Sequence, residues 1–136
     1  IITKLGNTIE NKIISVLGCT FKKNTDDIRE SPALTIIQNL LNDKGIVHVY
    51  DPKVQHLKIP VHTSHVPPIM YTNVYECVKN SHAIVICTEW DEFKTLDFNR
   101  IYTCMKKPAY IFDGRLILDK DPLCQIGFNV ITIGKS

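Results

Sequence analysis

The sequence predicts an α/β fold: a Rossmann-like, doubly wound, mostly parallel sheet of five to six strands with helices on both faces. Three observations lead there. Short apolar runs alternate with segments of helical periodicity along the chain. The clearest runs are near-continuous in apolar residues, the pattern of strands buried on both faces. Several end in glycine, proline or aspartate, residues that turn a strand into a loop.

The elements follow in order. "KIISVLG", residues 12–18, is the first strand. "SPALTIIQNLLNDKG", 31–45, is a helix: Ser31 suits the N-cap and Pro32 the first helical position. Leu34, Ile37, Leu40 and Leu41 make its apolar stripe, and Gly45 stops it. "IVHVYDP", 46–52, is the second strand and completes a right-handed βαβ unit. Residues 53–73, rich in proline and histidine, read as a long irregular loop. "NVYECVKNS", 73–81, is a short helix with an asparagine cap, and "HAIVICTEW", 82–90, the third strand. "LDFNRIYTCMKKP", 96–108, is a helix capped by Asp97 and stopped by Pro108. "AYIFDGR", 109–115, is the fourth strand with its turn, "PLCQIG", 122–127, a helical turn, and "FNVITIG", 128–134, the fifth strand.

The 136 residues, 44% hydrophobic, suffice for one compact core. "IITKL" before Gly6 reads as the last turn of a helix that begins upstream, and the chain starts without methionine. The expectation is therefore a piece of a longer protein, with residues 1–10 ending a preceding helix and linker and residues 11–136 forming the domain. A net charge of +2 gives no basic face of the kind nucleic acids attract. No apolar run is long enough for a membrane span, and the start lacks a signal peptide's features, so no membrane partner and a cytoplasmic location are expected. The five cysteines (Cys19, Cys77, Cys87, Cys104 and Cys124) are odd in number and lack a C-x-x-C. That argues against a disulfide framework and zinc, and suits a reducing compartment. Cys87 and Cys104 sit in apolar contexts and read as core residues.

In a doubly wound sheet, ligands bind at the carboxyl ends of the strands where strand order reverses. Those ends carry "GCTFKKNTDDIR", "DPK", "TEWDEF" and "DGR". After the first strand, Gly18 permits a sharp turn, Lys22 and Lys23 offer cations, and the helix start at Ser31 is partly positive. An anion site is one reading. A solvated loop whose Asp26, Asp27 and Glu30 neutralise the lysines is the other. G-x-G-x-x-G and the P-loop pattern are both absent, so no dinucleotide is expected on this domain alone. Arg115 could fork onto a diphosphate, or simply pair with Asp113 at the surface. Trp90 reads as packing rather than as a stacking platform. His56, His62 and His65 lack the cysteine or carboxylate company of a zinc site, so no metal is expected. Cys19, beside Lys22, lacks a neighbouring histidine to activate it as a nucleophile.

The ordered blocks "GCTFKKNTDDIRESPAL", "VYDPKV", "VICTEWDEFKTLDFNRI", "KKPAYIFDGRLILD" and "IGFNVITIG" resemble the C-terminal, UDP-sugar-binding domain of the UDP-glucose/GDP-mannose dehydrogenase family. The likeness runs over nearly the whole chain, and "CTEW" with "LDFNRI" resembles the UDP-glucose branch. It implies an enzyme with an NAD-binding domain and a central helical domain ahead of this one, working as a homo-oligomer. The family oxidises the C6 alcohol of UDP-glucose to the carboxylate of UDP-glucuronate with two NAD+, through a cysteine-bound intermediate. The nucleophilic cysteine lies in the other domains, so no catalytic residue is expected here and the isolated chain is expected to be inactive. The resemblance gives Phe21, Lys22 and Arg115 contacts to the UDP-sugar, and Arg29 a reach toward NAD. Two departures stand out: many bacterial members have proline at the place of Lys23, and animal members a second arginine at Leu116. Rival expectations are a relative acting on GDP-mannose or UDP-N-acetylmannosamine, or a non-enzymatic receiver-like α/β module phosphorylated on Asp91.

Overall fold

The apolar run after Lys12 becomes the central strand β1 (Ile13–Leu17). The computed structural model describes residues 8–19, 32–54 and 67–132. After β1 come α1 (Pro32–Asn42), β2 (Ile46–Tyr50), β3 (Ile69–Tyr71), α2 (Val74–Val78) and β4 (Ala83–Ile86). A 3-10 turn (Asp91–Lys94), α3 (Phe98–Cys104), β5 (Tyr110–Asp113), α4 (Lys120–Ile126) and β6 (Asn129–Thr132) complete the chain. The six strands are all parallel, in the order β3-β2-β1-β4-β5-β6. Strand order reverses between β1 and β4, so the expected doubly wound sheet is present.

Side-chain alternation divides the core into two layers. On β4, Ala83 and Val85 turn toward Ile37 and Leu41 of α1. Ile84 and Ile86 turn the other way, toward Cys77 of α2, Ile101 of α3 and Leu123 of α4. Helices thus cover both faces, which explains why the central strands carry no polar face. Each fully buried aliphatic side chain contributes about 1.5–3 kcal/mol. The polar exceptions are paired. Ser15 in β1 donates its hydroxyl to the Cys77 carbonyl at 2.9 Å and also meets the Ser81 hydroxyl. His48 in β2 donates from Nδ1 to the same carbonyl at 2.9 Å. These bonds remove the penalty of burying the groups unsatisfied.

The element boundaries differ from the sequence reading in instructive places. The expected loop over 53–73 contains β3, which pairs with β2 from His48↔Ile69 to Tyr50↔Tyr71. Three residues between two prolines and a polar turn are too few to show a period, and as an edge strand β3 leaves Ile69 exposed. The helix expected over 73–81 ends at Val78, and Asn80 takes a left-handed φ of 64°. The helix expected over 96–108 stops at Cys104, and the helical turn expected at 122–127 is instead α4, which starts at Lys120. Pro32 does open α1, and Asn73 and Asp97 do cap α2 and α3 with their side chains. At the end of α1 the left-handed residue is Lys44, φ 66°, rather than Gly45, whose N–H returns to the Leu40 carbonyl at 2.9 Å. Ile9 is fully buried in the α1 layer of the core. The helical turn expected at residues 1–5 lies outside the described residues.

Candidate functional site

At the end of β1 the backbone turns at Gly18, φ 92°, and its N–H binds the Tyr50 carbonyl at 2.7 Å. A Cβ on Gly18 would stand 2.5 Å from Thr88 Cβ, so the loop leaving β1 and the loop leaving β4 touch here with no room for a side chain. Only glycine meets both demands.

The loops are held by carboxylates. Asp51, directly after β2, accepts the Cys19 N–H at 2.9 Å and the Trp90 indole N–H at 3.1 Å, both on Oδ2. Its Oδ1 accepts the Lys53 N–H at 2.8 Å. Asp113, the last residue of β5, repeats the device: Oδ1 accepts the Arg115 N–H at 3.1 Å and Oδ2 the Leu118 N–H at 2.8 Å. Both aspartates are buried. Tyr50 donates its phenol to Glu92 Oε2 at 2.6 Å, tying β2 to the 3-10 turn. Burial first, and then this bond, hold the Tyr50 phenol above its ordinary pKa.

Arg115 projects from the turn after β5, and its guanidinium lies 3.4 Å from Glu89 at the end of β4. Both side chains are more than a third exposed, so the pair itself adds little stability. It does place a cation beside the β4 end. The expected surface alternative, an Asp113–Arg115 ion pair, gives way to Glu89: Asp113 is buried and turned to backbone N–H groups, whereas Glu89 is partly exposed and meets the guanidinium. Trp90 is buried, which upholds packing over stacking. Cys19 and Cys87 lie in the α1 layer of the core, whereas Cys104 is only partly buried. Burial, with the charge of Asp51 next, pushes the Cys19 thiol up to about 12, so it stays protonated and is no nucleophile at neutral pH.

Phe21, Lys22, Lys23 and Arg29 lie outside the described residues, as do Asp26, Asp27, Glu30, Ser31, His56, His62 and His65. Of the expected site residues the structure places Arg115. The residues the sequence reading missed are Asp51, Glu89 and Glu92. A signal for the first was present, since "YDP" and "FDG" each put an aspartate between a strand and a turn-former. A cleft of about 260 Å³ lies between the 3-10 turn, α3 and α4. Its lining, with Phe98, Ile117, Leu118 and Leu123, is mostly apolar and includes neither Arg115 nor Asp51.

An all-parallel doubly wound sheet with charged turns gathered over the strand ends at its reversal point defines a Rossmann-like ligand-binding domain. Residues 15–120 match the family model for the UDP-glucose/GDP-mannose dehydrogenase family, UDP binding domain. The chain belongs to that family. It is 49% identical to the UDP-glucose 6-dehydrogenase of Drosophila melanogaster, over 99% of this chain and 31% of that protein. The solved UDP-D-ManNAc dehydrogenase of Pyrococcus horikoshii superposes with a TM-score of 0.73 at 32% identity, covering 97% of this chain and 28% of that one. The NDP-N-acetyl-D-galactosaminuronic acid dehydrogenase of Methanosarcina mazei gives 0.82 at 26% identity, covering 99% and 27%. The chain thus spans about a third of the length of the curated relatives it matches. No helix of the described residues is long and apolar enough to cross a membrane.

Proposed function

We propose that the chain is the UDP-sugar-binding unit, residues 11–136, of an NAD-dependent dehydrogenase that oxidises UDP-glucose to UDP-glucuronate. The observation that carries this is Arg115, an exposed cation on a turn clamped at both ends by Asp113, beside the reversal point of a sheet whose family binds UDP. In this reading Arg115 and Lys22 take the anionic and hydroxyl groups of the UDP-sugar, and Phe21 packs on the same ligand. Diphosphate oxygens suit such cations because charge-assisted bonds are about twice as strong as neutral ones. Arg29 faces NAD, which accepts hydride from the sugar carbon and is held mainly by residues outside this chain. The 136 residues alone bind the sugar nucleotide and do not oxidise it. The partners are the NAD-binding and central domains and further copies in a homo-oligomer. An odd number of cysteines without a C-x-x-C suits a reducing, cytoplasmic setting.

Calorimetry with UDP-glucose tests the reading: the chain binds it, and Lys22→Ala weakens binding. Equal binding by both removes Lys22 from the site, and no binding by the wild type overturns the proposal. A second reading, an N-acetylated hexosamine nucleotide as substrate, is favoured by the names of the two superposed structures. A panel of sugar nucleotides offered to the same chain decides between them.

A further inference from the structure

We propose that Asp51 is a positioning residue for the nucleotide-sugar site, holding the exit of β1 against the exit of β4. The inference rests on the functional reading above. Asp51 is 3% exposed and directly follows β2. Three N–H donors from three stretches of chain converge on it: Cys19, Lys53 and Trp90. A buried negative charge beside a diphosphate site works against the ligand, so its presence asks for a reason. The reason is the donor set. Both oxygens face donors, and a carboxylate alone can accept on both sides. Asparagine in the same place would turn its NH2 onto an N–H.

The two donors sharing Oδ2 belong to the segments that lead into the proposed ligand contacts. Cys19 follows the Gly18 turn and stands three residues before Lys22 in the sequence. Trp90 follows Glu89, the partner of Arg115. One oxygen atom therefore sets the spacing of the two walls. Asp51 does not itself touch ligand, because it is buried and its oxygens face protein donors. It acts through the segments it holds, and binding is sensitive to displacements of about 1 Å in such supports.

The experiment measures UDP affinity of the 136-residue chain by calorimetry, with thermal unfolding of each variant as the control for folding. Asp51→Asn, folded at the measuring temperature, is expected to bind UDP about tenfold or more weakly. Trp90→Phe, which removes the indole donor and leaves the Cys19 bond, frees the β4 wall alone and is expected to weaken UDP binding by a smaller factor, about threefold to tenfold. A merely structural role predicts losses that follow stability in both variants. Asp51→Asn or Trp90→Phe binding UDP as well as wild type overturns the inference and leaves the functional reading standing. A wild type that binds no UDP overturns the functional reading, and the inference with it. Where Asp51→Asn does not fold, hydrogen exchange on the unmodified chain decides. Saturating UDP is then expected to slow the Cys19 amide and the Trp90 indole N–H together, by about tenfold or more. Unchanged exchange at either donor overturns the inference.

Discussion

Gly18 and Thr88 meet where the loops leaving β1 and β4 cross, with 2.5 Å between Thr88 Cβ and the place a Gly18 side chain would take. Gly18→Ala therefore combines a left-handed backbone with a steric overlap. Each effect costs about 1–3 kcal/mol. Urea unfolding is expected to show a loss of about 3 kcal/mol or more, and UDP binding is expected to fall as the two loops are forced apart.

Arg115→Ala removes the one expected ligand contact that the structure describes. Hydrogen bonds to charged groups contribute about 1.5–3 kcal/mol, so UDP affinity is expected to drop by about tenfold to a hundredfold. Stability is expected to change by less than about 1 kcal/mol, since the Glu89 pair is exposed. Calorimetry and thermal unfolding on the same preparation separate the two effects.

His82 is expected to give the protein a pH dependence whose sign follows from its surroundings. Its Nδ1 accepts the Ile13 N–H at 3.1 Å, which requires the neutral ring. Burial, followed by the charges of Lys12 and Lys106, lowers its pKa from the ordinary 6.5. The unfolded chain thus takes up the proton first. The stability His82 contributes is complete above pH 6.5 and is lost as pH falls toward the lowered value. The melting temperature is expected to fall between about pH 7 and about pH 5, with a shallower slope in His82→Gln.

The caps and the core separate by size of effect. Asn73 Oδ1 accepts the Tyr75 and Glu76 N–H groups at 2.8 and 3.2 Å. Asn73→Ala is expected to cost about 1 kcal/mol. Phe93 is fully buried with the Tyr50 ring 6.2 Å away. Phe93→Ala is expected to cost about 3–5 kcal/mol by chemical denaturation, a cavity cost that no cap approaches.

The fold was legible because burial on both faces writes itself as continuous apolar runs, and "KIISVL", "IVHVY" and "AIVI" stand clear of their surroundings. β3 was not legible: at three residues it owes its conformation to pairing with His48–Tyr50, information that lies twenty-one residues away. Helix ends were misjudged where a left-handed residue such as Lys44 or Asn80 takes the place a glycine would announce. For the site, strand-end logic brought out Arg115 but could not show that its side chain meets Glu89 rather than Asp113. That choice is made in space: Asp113 is buried and turned to backbone N–H groups, and Glu89 stands within reach of the guanidinium. Asp51 was legible only in part: "YDP" marks a strand-end aspartate whose bond to the Lys53 N–H is local, whereas the Cys19 and Trp90 N–H groups reach it only through the sheet.

The five thiols differ sharply in reach. Burial pushes Cys19, Cys77 and Cys87 up to about 12, and Cys104 is raised as well, whereas Cys124 sits exposed on α4. Air oxidation during purification is expected to reach Cys124 first and to join two copies through it. Such a covalent pair elutes at twice the mass and imitates a biological dimer, so quaternary structure is to be measured under reductant or in Cys124→Ser. The same isolation makes Cys124 the natural point for attaching a single fluorophore to the otherwise unmodified chain.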